Sequence, residues 1–384
     1  MKTVITTEKI PIKLWLDDIE DGALEQAKNL ANLPFAFKHF ATMPDSHQGY
    51  GMPIGGVLAT DGVIVPNAVG VDIGCGCSAI QTNLKSIDIN SLKSIMGRIR
   101  KFIPMGFKHH KTKQIWTGFQ EAPVIDIIQR ELESAKYQLG TLGSGNHFIE
   151  IQKGSDGFVW IMLHSGSRNF GLKIAKEYHE KAKKLCEKWY SDIPTPDLSF
   201  LPFDTNESQE YFESMNFALK FAKRSRKHMI ENIILCFTEE LKDVDFLNFY
   251  DIHHNYVSLE NHFSKNVFIH RKGATSARKN EIGIIPGSQG TKSYIVKGKG
   301  NPESFMSCSH GAGRKLGRKA AQRELNLEDE IKRLDEQGII HGIRNITDLD
   351  EAAGAYKDID IVMNNQLDLV DILIELTPMA VIKG

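Results

Sequence analysis

Apolar and polar residues alternate from Cys77 to Leu84, the period-two signature of a strand with one face against a core. Further strands are predicted at Phe148 to Gln152, Phe158 to Leu163, Phe246 to Asp251, Val267 to His270, Ile282 to Ile285 and Ser293 to Val296. Helices are predicted from Gly22 to Leu33, Asp88 to Lys101, Val124 to Leu139 and Leu172 to Trp189, the third stopped by Gly140. A longer helix, Ser208 to Leu241, follows a proline-rich connection. Another begins near Arg314, and a last one spans Asp368 to Leu376, ahead of the tail Val381 to Gly384. The first 45 residues read as a short strand, the Gly22 helix and an apolar segment ending at Met43-Pro44-Asp45. Glycine is dense between Ser46 and Gly76, which predicts loops packed against their surroundings and a hairpin centred on Asp61-Gly62. Strands and helices come in segregated runs, so the expected class is α+β, a single large domain over residues 1–384, rather than a doubly wound sheet.

A chain of 384 residues is long enough for a sizeable core. Hydrophobic residues at 41% and charged residues at 25% argue against disorder and against a membrane class. No apolar run approaches the roughly 18 residues of a spanning helix, and Met1 to Leu16 lacks the continuous apolar block of a signal peptide. A cytoplasmic protein with no membrane partner is expected. Cys75, Cys77, Cys186, Cys236 and Cys308 form no repeating framework, which points to reduced thiols. The net charge of −1 exerts no global pull on nucleic acid, although Arg98 to Lys113, Lys220 to His228, Arg271 to Lys279 and Arg314 to Lys319 are locally basic. Such runs are as a rule solvated helix faces.

The chemistry concentrates in glycine-bounded turns. In Val69-Gly70-Val71-Asp72-Ile73-Gly74-Cys75-Gly76-Cys77 the glycines free the backbone, so a carboxylate and a thiol three residues apart can turn toward one point. This reads as half of a metal site. Gly143-Ser144-Gly145-Asn146-His147 delivers an imidazole at the start of a strand, His164-Ser165-Gly166-Ser167-Arg168 another at the end of a strand, and His253-His254-Asn255 does so again. Carboxylate, thiolate and imidazole together suit Zn, Mn or Fe rather than Mg or Ca. Ser307 to Arg314 is rich in small residues and looks like a phosphate cradle at a helix N-terminus, with His310 inside it as a nucleophile, a general acid or a turn residue. Pro286 to Ser293 is a second phosphate-like loop but no Walker A motif, because Thr291 precedes Lys292. Gly74 to Ala79 matches G-x-G-x-x-A, yet a strand follows it where a dinucleotide fingerprint needs a helix.

Taken together, Asp72 to Gly76, Gly145 to Phe148, His164 to Arg168, His254 to Tyr256, Arg271 to Ala274, His310 to Arg314 and Lys383-Gly384 resemble the RtcB family of RNA-splicing ligases, from about Met43 to the last residue. The resemblance implies an RtcB-like single large domain, with mixed sheets surrounding a central metal site. It implies two Mn(II) ions held by Asp72, Cys75, His147, His164 and His254, with Cys75 bridging, and His310 as the catalytic nucleophile toward the α-phosphorus of GTP. The same resemblance assigns nucleotide contacts to Asn146, His147, Phe148, Ile149, Glu150, His254, Asn255, Pro286, Gly287, Ser288, Gln289, Ser293, His310, Gly311, Ala312, Gly313 and Lys383.

The implied reaction is GTP-dependent joining of RNA ending in a 2′,3′-cyclic phosphate or 3′-phosphate to RNA beginning with a 5′-hydroxyl. It passes through histidine-GMP and an RNA-3′pp5′G intermediate, in tRNA splicing or RNA repair. Archease is the activating partner that the family brings into question. Arg168, Arg271 and Arg314 are candidates for RNA phosphate contacts, with structural pairing to carboxylates as the competing reading. Two other classes compete with the ligase: a binuclear metal phosphoesterase acting on RNA ends without guanylylation, and a non-catalytic RNA-binding protein.

Overall fold

The computed structural model describes residues 1–384. Its elements begin with β1 Thr3–Ile5, β2 Ile12–Leu14, α1 Asp21–Ala31, β3 Ala36–Tyr50, β4 Met52–Thr60, β5 Val63–Ile64, β6 Gly76–Thr82, α2 Ile89–Phe102 and α3 Asp126–Gln138. Next come β7 Phe148–Gly154, β8 Val159–Ser165, α4 Arg168–Lys188, β9 Leu201–Pro202, α5 Asn206–Glu240, β10 Phe246–His253, β11 Asn255–His262, β12 Lys265–Lys272 and β13 Ala274–Ser276. The chain closes with β14 Ile282–Ile285, β15 Ser293–Gly298, β16 Ser307–Ser309, α6 Arg318–Glu324, α7 Leu327–Glu336, α8 Ile359–Asn364 and β17 Val370–Lys383.

A seven-stranded sheet in the order β10-β6-β8-β7-β17-β15-β14 organises the molecule beside a six-stranded sheet in the order β1-β2-β3-β4-β12-β11. The pairing of β2 with β3 is parallel, whereas β3 with β4, β6 with β8 and β7 with β8 are antiparallel. The expected α+β class with mixed sheets is what the chain adopts. Period two explains how the seven-stranded sheet serves two purposes. On one face Ile80, Ile149, Ile151, Ile161, Leu163, Ala380 and Ile382 pack against helical residues such as Ile95, Ile99, Met229, Ile233 and Phe237. The α5 contributors Met229, Ile230, Ile233 and Phe237 recur at helical spacing, so one stripe of that helix covers the sheet. The alternate positions, including Phe148, Glu150, His164 and Lys383, fall on the other face.

Several sequence expectations hold closely. Asp88 caps α2, its side chain accepting from the backbone N–H of Asn90 and Ser91, and Gly140 takes φ +76 just beyond α3. Others are overturned. Residues 46–60 are largely strand rather than packed loop, because Gly55 at φ +83 lets β4 approach Ser46 so closely that a Cβ there would stand 2.8 Å from the Ser46 Cα. The chain turns at Asp61-Gly62, but β5 pairs with β9 and no hairpin with β4 forms. No helix begins at Arg314, which bridges to Tyr356; α6 starts at Arg318. Asp368 to Leu376 is no helix either. From Val370 onward it is strand, paired with β15 and then β7, with Val370 and Leu376 buried while Ile372 and Leu373 stay exposed. No helix is long and apolar enough to cross a membrane.

Arg271 is fully buried and ion-paired with Glu260 of β11, and its Nε donates to the Ser307 hydroxyl at 2.9 Å. It is a structural residue, unavailable to RNA. Removing one partner of a buried pair strands the other charge, so Arg271→Ala is expected to lose about 3 kcal/mol or more of unfolding free energy, read by urea denaturation.

Candidate metal and nucleotide site

The loop after Val69 is shaped by Gly70 at φ +91 and Gly74 at φ +73. It turns tightly enough for the Cys75 N–H to reach the Asp72 carbonyl at 3.1 Å. The β10–β11 junction laces onto it. His254 N–H donates to the Cys75 carbonyl at 2.9 Å, Gly74 N–H to the Asn255 carbonyl at 2.9 Å, and the Asn255 amide to the Asp72 carbonyl at 3.0 Å. Register supplies the remaining ligand-type residues. Within the sheet His164 pairs with Cys77 on one side and with Phe148 on the other, and His147 stands just before β7.

These elements bring together one row of side chains. Asp72 Oδ2 lies 3.1 Å from His147 Nε2, which lies 3.5 Å from Cys75 Sγ; the thiol lies 3.2 Å from His164 Nε2, and that nitrogen is 3.3 Å from His254 Nε2. Two overlapping sets of ligand atoms result, Cys75 with His164 and His254, and Asp72 with Cys75 and His147, and only the thiol belongs to both. Burial pushes the imidazoles of His164 and His254 well below the usual histidine range, so both are neutral. The His164 Nδ1–H donates to the Asn146 carbonyl at 3.1 Å, which leaves a lone pair on Nε2. Burial, reinforced by Asp72, holds the Cys75 thiol well above its ordinary value. Lone-pair atoms held this closely fit a cation, and the donor set is that of a divalent transition metal.

His310 continues the row, its ring centroid 4.7 Å from that of His254. Asp45, fully buried in β3, accepts from His310 Nδ1 at 2.7 Å, from the His310 backbone N–H at 3.1 Å and from the Gly311 N–H at 3.2 Å. Burial alone would raise the Asp45 carboxyl, but His310 holds it below the usual carboxylate range. With Nδ1 engaged by Asp45, Nε2 is the ring nitrogen of His310 left without a protein partner. Gly313 at φ +73 keeps the loop against β3, where a Cβ would meet the Asp45 carbonyl at 2.2 Å.

A pocket opens beyond His310, walled by Asn146, Phe148 and Glu150, by Pro286 to Gln289, by His310 to Arg314 and by Lys383. Phe148 and Glu150 share a strand face, and Lys383 pairs with Phe148 across β17, its ammonium 5.6 Å from the ring centroid. Burial pushes the Glu150 carboxyl up to about 7, against the opposing pull of Gln152 and Lys383. Burial likewise lowers the Lys383 ammonium, with Glu351 and Glu150 resisting.

A family model described as tRNA-splicing ligase RtcB matches residues 26–125 and 117–384. The RNA-splicing ligase RtcB of Escherichia coli K12 is 39% identical over 99% of each chain. The tRNA-splicing ligase RtcB of Thermococcus kodakarensis is 32% identical over 98% of this chain and 95% of its own, and the RNA-splicing ligase RtcB homolog 1 of Entamoeba dispar is 34% identical over 94% and 82%. The chain belongs to the RtcB family.

In this RtcB chain most of the residues expected at the site meet there, and a few do not. Ile149 faces the helical side of the sheet, so its side chain is core. Asn255 braces the loops, accepting from Gly273 N–H at 2.8 Å, and Ser293 supports the Pro286 loop by accepting from Gly287 N–H at 3.1 Å. His147 lies at the Asp72 end and does not line the pocket beyond His310. The cradle around His310 is no helix N-terminus, so any anion there meets loop N–H groups without a helix dipole. Sequence reasoning missed Asp45, His47, Arg318, Glu351 and Tyr356, all at or beside the pocket. Asp45 carried one signal, a carboxylate closing an otherwise apolar run. Arg168 is engaged with Thr141 and the Gly106 carbonyl, and Arg314 with Glu351 at 3.0 Å.

Glu150 provides a stability test. Its native carboxyl binds a proton up to about pH 7, whereas its reference value is 4.5. The native state therefore holds more protons than the unfolded state across that window, and stability from this group falls as pH rises through it. Above pH 7 the disfavoured charge costs about 3 kcal/mol. Glu150→Gln is expected to be more stable than the parent by about 2 kcal/mol or more at pH 8.5, with the difference shrinking toward pH 5, in paired urea titrations.

Proposed function

We propose that this chain is a GTP-dependent RNA ligase that joins RNA with a 2′,3′-cyclic phosphate or 3′-phosphate end to RNA with a 5′-hydroxyl end, its residues 1–384 acting as one ligase domain. One observation carries the reading: an imidazole with its outer nitrogen free stands between a thiol-centred ligand cluster and a buried polar pocket. A phosphoesterase could use the same cluster with His310 as a general acid, so covalent label from GTP is what separates the two readings.

In this reading Asp72, Cys75 and His147 would hold one Mn(II), and Cys75, His164 and His254 a second. The bound ions would offset charge on phosphoryl oxygens and orient the incoming group. His310 Nε2 attacks the α-phosphorus of GTP; an N–P bond forms as the Pα–O bond to the β-phosphate breaks and pyrophosphate leaves. Asp45 holds the ring in the tautomer that can attack and stabilises the charge that develops. Ionised Glu150 accepts from the N–H edge of guanine, and Lys383 adds a donor beside it. An oxygen of the RNA 3′-phosphate next displaces His310 from the guanylate. The 5′-hydroxyl then attacks the RNA 3′-phosphorus, forming the phosphodiester and releasing GMP. A cyclic phosphate is first opened by water.

The names of the relatives support RNA splicing, tRNA splicing among it, as the setting, with RNA repair as the alternative use of the same end-joining chemistry. All five cysteines are free, which suits a reducing compartment such as the cytoplasm. Archease is the activating partner to add if the purified chain turns over once and stops.

With GTP labelled at the α-phosphate and Mn(II), the protein is expected to take up covalent label that His310→Ala does not; an unlabelled parent would favour hydrolysis instead. Asp45→Asn, which keeps the shape but not the charge, is expected to slow label uptake about 100-fold or more. Cys75→Ala is expected to lose both metal ions with its circular dichroism unchanged, and normal metal content would remove the premise of a shared thiol.

A further inference from the structure

Arg226 of α5 is fully buried directly behind the Cys75 cluster. Its Nη1 donates to the Gly74 carbonyl and to the Ser165 carbonyl, each at 2.9 Å. Its Nη2 lies 3.2 Å from His253 Nδ1. Gly74 precedes Cys75, Ser165 follows His164, and His253 precedes His254. One planar group thus touches the chain neighbour of each member of one ligand set. Its other edge, Nε and Nη2, is clamped by Asp251 at 2.7 and 2.9 Å, and Asp251 also accepts from Ser78 at 2.7 Å. Glycine makes the approach possible: a Cβ at Gly76 would stand 3.1 Å from the guanidinium carbon and 2.0 Å from the Ile252 carbonyl.

We propose that Arg226 is a positioning residue of the metal centre, whose rigid fork sets the spacing at which Cys75, His164 and His254 converge. These three come from segments far apart in sequence that meet where β6 pairs with β8 and β10, Gly76 lying opposite Ser165 on one side and His253 on the other, and Arg226 ties the carbonyls at the end of that ladder. A guanidinium presents five N–H groups in one plane, so the carbonyls it joins cannot drift independently. Lysine would supply charge without that geometry. The Asp72, Cys75 and His147 set depends on Arg226 only through the shared thiol. The inference rests on the metal-binding reading above and deepens it.

Mn(II) titration calorimetry of the full chain, without RNA or GTP, separates the possibilities. Deleting one member of a buried ion pair strands the other, so the informative variant is Arg226→Met with Asp251→Asn, which removes both charges together. The unfolding midpoint of the metal-free chain is measured beside it. Loss of a group that orients ligands weakens metal binding by about 10- to 100-fold. That weakening is expected at one of the two binding events, in protein that is still folded, and Arg226→Lys is expected to show it as well. If the double variant fails to fold, Arg226→Lys alone decides. Folded variants that bind both ions as tightly as the parent would overturn the positioning role and leave Arg226 a packing residue. A parent chain that binds no Mn(II) would overturn this inference together with the reading beneath it.

Discussion

The sharing of one thiol among three imidazoles and a carboxylate is the constraint on which the site depends. Cys75 Sγ lies 3.2 and 3.5 Å from two ring nitrogens, and the rings of His164 and His254 meet nitrogen to nitrogen at 3.3 Å. The single thiol proton can bridge only one of these contacts, so the remaining lone pairs face one another, and burial removes the water that would screen them. The fold must hold them together against that repulsion, so the surroundings have to be rigid. Each loop that carries a ligand is tied to another such loop by backbone hydrogen bonds, and none is fixed only to itself.

That rigidity comes from the division of labour between the faces of the seven-stranded sheet. Ile149, Ile151, Ile161 and Leu163 bury one face under α2 and α5, anchoring β7 and β8 in depth. The residues between them are then free to carry chemistry, and Phe148, Glu150 and His164 point away from the helices as a direct result of the pleat. A one-residue slip in β7 would send Glu150 into the helical core and bring Ile149 into the pocket. Register is therefore a functional variable here as well as a structural one.

The ligand-type residues were legible from sequence because they sit in glycine-bounded turns, where a reactive side chain has no packing reason to be. His147, His164 and His254 all stand at strand ends, as their flanking alternation suggested. Asp45 and Arg226 were not legible, for a common reason. Each lies inside a regular element, amid apolar or lysine-rich neighbours, and acts on residues far away in the sequence, 265 positions for Asp45 and 61 and 152 for Arg226. Arg226 sits in a run, Lys220 to His228, that reads as a solvated helix face. In the fold α5 turns Arg226 inward with Phe221, Ala222 and Ser225, and it is the one basic residue of that run to be buried. Residues 370–376 were misread for a different reason: a short apolar run fits both periods, and only pairing with β15 and β7 makes it a strand. The helix at Arg314 failed because the chain there bridges to Tyr356 and makes no local turn of its own.

The pocket beyond His310 shows the same economy of unsatisfied groups as the thiol-centred cluster. Glu150 is buried, so near neutrality its proton is held by desolvation and opposed by Lys383. A ligand that offers two N–H donors stabilises the ionised form, because hydrogen bonds to a carboxylate favour its charge. One that offers an acceptor at the same place faces the carboxylate's lone pairs, or must leave the acid protonated. On the reading proposed above, guanine is the first kind of ligand and adenine the second. Discrimination of that type does not require a tight steric fit, since a buried polar group left without its partner penalises the wrong base. On that same reading, the acid whose burial costs the fold stability is the one that would make the pocket selective.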